Sequence, residues 1–476
     1  MERQKHTPGM VVNQVPVYFT GKPASAFGGL PLTLAKLLEV IGFREWVEQS
    51  IPIVETSPNA KGIYGKVLGL FLTVLAGGRR FSHWVSWGHG AEVLRQAFGV
   101  EWLPGSVSVL TRFFARIDGP RLAEQLGEKL RAFAWRTVEW AGVQEADLNF
   151  DSSVLVRYGH QQGARKGYNP KRPGRPSHHP LLAFLSTGQV LNLWNRSGDS
   201  HSANGMIDFF SQTFESLSET FRVRWVLCDS GFYDTEFLRF LEVFCFRYVI
   251  AVRLSRVLQR ELLRLSNWRR LDDGIEVAEF RFAHLGSKDK KERRYVVVRQ
   301  QISRRPQAAG RQPFLLKELE EHRDYRYGVW VTNDEQAPVE EIWRAYRPRA
   351  KDENVIKSLK EDFGLDGFCL DNFWATEAVL GMIALVFYNL VHFLGRQVSA
   401  PQGPEPTLGT LRRNLFLLPA LLGRNGGRTV LRVAVKDLGM RGRLVYLYHR
   451  IASLPVRLNC NAIGAAIRAA PVEQSG

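Results

Sequence analysis

Tyr346, Arg349, Glu353 and Lys360 are separated by three, four and seven residues, so a helix turning about 100° per residue gathers them into one narrow stripe. With Arg349 at zero, Glu353 falls at about 40° and Lys360 at about 20°, while Val355, Ile356, Leu359 and Phe363 occupy the adjoining arc from roughly 240° to 340°. A carboxylate flanked by cations therefore lies beside an apolar seam. Docked on a sheet by that seam, such a helix would hold Glu353 at the lip of a site, with two positive groups suited to phosphate. Pro348 fits only the first turn of a helix, which leaves the angular position of Tyr346 less fixed than that of Arg349.

One carboxylate needs partners, and the upstream segment supplies them. From Leu148 the chain reads as strands DLNFDSSVLVRYG, PLLAFLST and QVLNLWN, a helix ANGMIDFFSQTFESL, a strand VRWVLCD, a helix YDTEFLRFLEVFC and a strand RYVIAVR, the order βββαβαβ. VRWVL and RYVIA are nearly continuous apolar runs, as in a sheet covered on both faces. Asp151 lies inside the first strand and Asp229 directly after the fourth. Asp229 alone reads equally well as a cap of the following helix. Asp151 is harder to explain so, because a carboxylate facing inward from an apolar strand is expensive unless it binds a cation or forms a pair. Three carboxylates on separate elements, Asp151, Asp229 and Glu353, could converge into a cluster that repels itself when empty and is sensible around divalent metal. Their hard oxygens suit Mg²⁺ or Mn²⁺. Two such ions about 3.5 to 4 Å apart activate the attacking oxygen and stabilise the leaving oxygen of an in-line displacement.

Composition narrows the substrate. The 476 residues leave room for two to four domains, and 64 Lys plus Arg against 47 Asp plus Glu give a formal charge of +17, which favours nucleic acid or an anionic membrane surface. The longest apolar run, Ala378 to Leu394, is at the short edge of a spanning helix and contains Asn389 and His392, so it reads as a buried core helix and membrane is not expected. MERQKHTPGM has no apolar core of a secretion signal. Cys228, Cys245, Cys369 and Cys460 are scattered without a CxxC, which fits a reducing cytoplasm and argues against a disulfide framework or a zinc site.

The strand order, Asp151, Asp229 and the Y-x2-R-x3-E-x6-K spacing of Tyr346, Arg349, Glu353 and Lys360 together resemble the bacterial insertion-sequence transposases of the DDE type, over about Leu148 to Leu394. The surroundings YRPRAKDENVIKSLKEDFGLDGF and LCDSGFYD add to the likeness. The resemblance implies an α/β fold with a ribonuclease-H-like mixed sheet, βββαβαβ-α, in which Asp151, Asp229 and Glu353 ligate two Mg²⁺ ions, with Mn²⁺ able to substitute. It implies that Tyr346, Arg349 and Lys360 contact DNA phosphates near the cleaved end. The implied enzyme binds the terminal inverted repeats of its own element, cleaves DNA at the ends by metal-dependent hydrolysis and joins the freed 3′-hydroxyls to target DNA. It would act as a homodimer assembled on two DNA ends, in a bacterial cytoplasm at the nucleoid. The 124 residues from Asp229 to Glu353 exceed the needs of one strand and one helix, and members of the family carry a β-rich insertion at this place. Here SRVLQRELLRLSNWRR reads as helical, and IEVAEFRFAH, RRYVVVRQQI and YRYGVWVT as strands. In some members an aromatic residue of the insertion stacks on a flipped base; Trp268 and Trp330 are the candidates, Trp330 reading more readily as core.

The expected divisions are a mainly helical N-terminal DNA-binding or accessory domain over 1–146, catalytic core over 147–252, insertion over 253–338, the rest of the core over 339–395 and a basic C-terminal region over 396–476. In the first, AEVLRQAF and SVSVLTRFFARI, joined through Gly99 to Gly105 with Ser106 as N-cap, form either a helix-turn-helix presenting Thr111 and Arg112 to DNA or a plain helical hairpin with Arg112 solvated. The loop RYGHQQGARKGYNPKRPGRPSHHP carries Arg157, Arg165, Lys166, Lys171, Arg172 and Arg175, and its Gly and Pro oppose regular structure. Beside Asp151 it is expected to track a phosphate backbone, the alternative being a merely solvated loop. His160, His178 and His179 have no ligand spacing. From Arg396 onward, 12 Arg plus Lys stand against 3 acids; the strand-like parts of this tail are expected to pair with the insertion or the N-terminal domain and to help hold a second DNA end. Two other functions share these features. A metal-dependent nuclease would never join strands, and a silent transposase-derived protein would only bind DNA.

Overall fold

Strand β1, Glu145–Ser152, alternates Ala146, Leu148 and Phe150 with Asp147, Asn149 and Asp151, and a strand sends those two sets to opposite faces. The apolar set is buried against Phe209, Phe210, Phe237 and Leu241. The structure is a computed structural model that describes residues 11–12, 14–16, 22–57, 59–84, 91–170, 172–283, 290–302, 325–347, 349–399 and 403–458.

The chain is a mixed α/β protein built on a large mixed sheet. Beside β1 stand β2 (Leu181–Leu185), β3 (Val190–Trp194), β4 (Arg222–Cys228) and β5 (Tyr248–Ala251). They are followed by β6 (Arg269–Asp272), β7 (Ile275–Ala283), β8 (Glu292–Gln301) and β9 (Tyr325–Thr332). The nine form one sheet in the order β6-β7-β8-β9-β5-β4-β1-β2-β3. β4 runs parallel to both β1 and β5, and the other neighbours are antiparallel. The insertion expected over 253–338 is therefore continuous with the central sheet: Val249 and Ile250 of β5 pair with Thr332 and Val331 of β9. That pairing covers what would otherwise be a bare edge.

Helices α1 (Pro120–Trp140), α2 (Met206–Glu215), α3 (Thr235–Val243) and α4 (Arg256–Arg264) place Trp135, Phe209, Phe237 and Leu258 in the core on one face. On the other, α5 (Val339–Tyr346) sets Val339 and Ile342 against Trp225, Leu227 and Val249. Helix α6 is Arg349–Glu361. The long apolar helix α7, Phe373–Val398, is a core helix, 94% of its most apolar stretch being buried. Its Asn389 explains the amide inside that run: the side chain accepts the Val190 N–H at 2.9 Å and donates to the Val190 carbonyl at 2.7 Å. The outward N–H and carbonyl of Val190, at the start of the sheet's last strand, are thus satisfied.

The reading of DLNFDSSVLVRYG as one strand fails after Ser152. Leu155–Val156 turns away into a small sheet with Pro176–His178 and Arg165–Lys166, so the basic loop has regular structure despite its Gly and Pro. Two glycines permit the crossing this needs. A Cβ on Gly167 would stand 1.8 Å from the Gly198 carbonyl oxygen, and one on Gly198 would stand 2.2 Å from that of Ser177.

The described residues fall into two compact units, one within Phe114–Phe393 and one combining Met1–Phe113 with Leu394–Leu458. The expected boundary at 146 is displaced because Trp135 and Val138 of α1 belong to the sheet's core. The C-terminal region is not separate from the N-terminal one: strand Ala420–Asn425 pairs with Arg428–Val433 and, through Ala420 and Leu421, with Ala24–Ser25. The hairpin turn uses Gly426 and Gly427 at φ 55° and 79°, the pair of positive angles a tight two-residue turn demands. This unit also holds the helices Phe43–Ser50, Tyr64–Leu75, Ala91–Ala97 and Val107–Phe114.

Candidate active site

Cys228 of β4 is in register with Phe150 of β1, and the next residue on each is an aspartate. Asp151 and Asp229 therefore lie at the carboxyl ends of adjacent parallel strands in the middle of the sheet, the place where open α/β sheets take their ligands. Both are half-buried. Asp151 Oδ1 accepts the Ser152 N–H at 2.6 Å, and Asp229 Oδ1 accepts the Gly231 N–H at 2.8 Å, capping the short turn Ser230–Phe232. Asp229 does not cap α3. That is done by Asp234, whose carboxylate accepts from Glu236 and Phe237.

The stripe of four is divided between two helices. Tyr346 is the last residue of α5 and Arg349 the first of α6; Pro348, between them, lies outside the described residues. Tyr346 Oη donates to the Cys228 carbonyl at 3.2 Å, which ties α5 to the strand end that carries Asp229. Of the expected seam, Val355 and Leu359 on α6 and Phe363 just past its end are buried, and Ile356 is half-buried. The helix stops where Gly364 takes φ 66° and the Leu365 N–H returns to the Leu359 carbonyl at 2.9 Å. Lys360 Nζ donates to the Val154 carbonyl at 3.1 Å, just beyond Asp151. Glu353 stands seven residues earlier, about 10 Å along the axis, and is exposed. The side chain of Arg349 lies outside the described residues. Tyr346 and Lys360 thus meet the strand ends of Asp151 and Asp229, and Glu353 does not join them. Among the described residues no three His, Cys, Asp or Glu side chains form a group able to hold a metal ion. The two aspartates fit a divalent cation by their hard oxygens and shared charge; the third ligand is not in place beside them.

His179 was not distinguished by spacing, yet it is buried beside these groups. Its Nδ1 is 3.0 Å from the Ser200 carbonyl, which requires the proton on Nδ1 in the neutral ring. Burial holds its pKa below the ordinary histidine value; Arg196 and Lys360 act in the same direction, against the Ser200 bond and Asp229. Arg196 is itself buried, which brings its pKa down to about 10, and it donates to the carbonyls of His179, His201 and Asn204. The signal in sequence was only a histidine next to a strand start.

The basic loop divides by exposure. Arg157 is 2% exposed and bonds His178 and the Asp366 carbonyl, so it cannot track a backbone. Lys166, Arg172 and Arg175 are exposed, as is Arg165, which pairs with Asp199 at 3.3 Å; Lys171 lies outside the described residues. Tyr158 and Tyr168, 72% and 73% exposed, interleave these cations, and their alternation with Arg and Lys is the signal the sequence holds for them. In the N-terminal unit, Arg112 turns back on its own helix, Nε 3.1 Å from the Ser108 carbonyl, and Thr111 Oγ1 lies 3.3 Å from that of Val107. Trp330 packs 5.4 Å from the Tyr346 ring within a core cluster, while Trp268 lies 4.2 Å beneath the Arg299 guanidinium.

A family model described as transposase DDE domain group 1 matches residues 11–455. Among solved structures, the chain is similar to a piggyBac transposase in a synaptic complex with hairpin DNA, at 13% identity and TM-score 0.42, covering 90% of this chain and 84% of that one. No curated protein matches.

Proposed function

The chain belongs to the transposase DDE domain group 1 family, and from that premise we propose that it binds the terminal inverted repeats of its own element, cuts DNA there and joins the 3′-hydroxyl ends to target DNA. The observation that carries this reading is the placement of Asp151 and Asp229 at adjacent parallel strand ends. In this proposal Asp151, Asp229 and Glu353 would hold two Mg²⁺ ions, or Mn²⁺ in their place, supplying Lewis acidity and a lowered pKa for bound water. The fold is ribonuclease-H-like, extended by the strands of the insertion. Lys360, already pointed at the strand end beyond Asp151, neutralises charge on the scissile phosphate, with Arg349 as its partner. Tyr346 holds the Cys228 carbonyl and so fixes Asp229. Lys166, Arg172 and Arg175 add charge that binds backbone without reading sequence. Two chains act together on two DNA ends in the bacterial nucleoid.

Glu353→Gln tests the assignment: end binding is retained and cleavage in Mg²⁺ is lost, whereas normal cutting by this variant overturns it. The exposure of Glu353 away from the aspartates favours a second reading, a silent DNA-binding relative. Wild-type chain that binds ends and cuts nothing supports it. Cutting without joining of pre-cut ends assigns a nuclease instead.

A further inference from the structure

Helix α4 carries an arginine ladder that its own fold does not use. Arg256, Arg260 and Arg264 fall at about 0°, 40° and 80° around the helix and all three are exposed, while Leu258, Gln259 and Leu262 are buried on the opposite side. Surface helices gain from an acid four residues before a cation; here the neighbour at that spacing is another arginine, and like charges there repel. Arg256 also occupies the first turn, where the helix dipole disfavours a cation. Glu261 is the only acid on the helix and pairs with Arg264 at 2.8 Å. Among the described residues Arg256 and Arg260 form no ion pair. Three self-repelling cations kept on one open face are explained by an anion that lies along it.

The start of the ladder identifies that anion. Ser255 caps α4 by accepting the Leu258 N–H at 3.4 Å, and two residues earlier Arg253 Nε stands 3.4 Å from Ser230 Oγ, next to Asp229. The ladder therefore begins beside the candidate cutting site. Leu258 and Leu262 anchor the helix in the same core as β1 and β4. We propose that α4 is a rail for the DNA backbone: Arg256, Arg260 and Arg264 seat phosphates of one strand of the duplex that leads away from the Asp229 strand end. Guanidinium groups suit this because their paired N–H groups match phosphate oxygens. The inference rests on the transposase reading above.

The test compares full-length wild type, R256Q/R260Q/R264Q and R256K/R260K/R264K by fluorescence anisotropy with a labelled duplex of arbitrary sequence across a salt series, together with thermal melting. Each phosphate contact contributes about 0.9 to the slope of log affinity against log salt. The glutamine variant should lose about 2 to 3 from that slope and melt close to wild type, since the repulsion it removes offsets the exposed Arg264–Glu261 pair it also loses; the lysine variant should keep the slope. Equal slopes in wild type and glutamine variant overturn the rail and leave the transposase reading standing. Early melting of both variants, with weakened binding in both, assigns the ladder a structural role and likewise overturns it. Wild type that binds no duplex sinks the transposase reading as well. A glutamine variant that loses binding to phosphatidylcholine–phosphatidylserine vesicles but not to duplex assigns the face to lipid.

Discussion

Asp151 and Asp229 end strands, whereas Glu353 projects from a helix, and the two kinds of support hold a carboxylate differently. β1 lies between β4 and β2, and β4 between β1 and β5, so hydrogen-bond ladders on both sides fix Phe150 and Cys228, the residues just before each aspartate, and a slip of one residue would turn every buried side chain to the wrong face. Glu353 depends on Val355, Leu359 and Phe363 and on Lys360 reaching Val154. A seam fixes the rotation of a helix more firmly than its position along its axis, and one turn carries a side chain about 5 Å. The aspartates are the stiff half of the candidate site and the glutamate is the adjustable half.

The comparison breaks most visibly at the stiff half. Asp229→Asn keeps an oxygen for the Gly231 N–H and removes only the charge. Cleavage of a labelled end duplex should fall on the order of 10³-fold, with stability changed by less than about 1 kcal/mol. A variant that cuts at the wild-type rate removes the aspartate pair from the chemistry. The adjustable half is tested through its seam. Leu359 is fully buried, and Leu359→Ala should cost about 3 to 4 kcal/mol in denaturant unfolding. If Glu353 matters, cleavage falls further than the folded fraction does; a fall in strict proportion would mean that the placing of α6 has no catalytic consequence.

Glu377 on α7 supplies the contrasting case of a helical carboxylate denied solvent. It accepts the Asn195 N–H at 2.8 Å, and burial, reinforced by Glu124 and opposed by that bond and Arg131, pushes its pKa up to about 7. A raised folded-state pKa contributes stability that is fully present below the unfolded value near 4.5 and is lost as pH rises through about 7. Glu377→Gln should therefore match wild type in stability near pH 4.5 and exceed it by roughly 2 to 3 kcal/mol at pH 8. Equal stability at both pH values would show that burial does not hold the Glu377 carboxyl above the ordinary carboxylate range.

The stiff half was the legible half. Alternation along Glu145–Ser152 and apolar runs in β4 and β5 carry their own periodicity, so the strands and both aspartates could be placed from local pattern. Joining the insertion to β5 could not, because Val249 meets Thr332 across 83 residues and nothing local specifies that partner. The end of β1 was hidden for a related reason: Ser153 gives its N–H to the Pro180 carbonyl, and Ser153–Val156 remains strand-like in type. Arginines also look alike in sequence. Only the fold distinguishes Arg157, buried against His178, from Arg172 and Arg175 in solvent. Asp229 reads in sequence as a cap of the following helix, and only the hydrogen bonds give that place to Asp234.

The smallest effect belongs to the joint between the two halves. Tyr346 touches the end of the strand that carries Asp229 directly, through its hydroxyl on the Cys228 carbonyl. Its ring rests 5.4 Å from that of Trp330, so Tyr346→Phe keeps the packing and deletes a single neutral hydrogen bond, worth about 1 kcal/mol. If that bond serves only the fold, the variant melts slightly earlier and cuts DNA with unchanged kcat once folded. If it positions Asp229, kcat falls by about fivefold for the same 1 kcal/mol while affinity for the end duplex stays constant, because no phosphate contact has been removed. A drop in duplex affinity with constant kcat would instead return Tyr346 to the DNA-contacting role that the family resemblance implies, and the hydroxyl would then have to leave Cys228 when DNA binds.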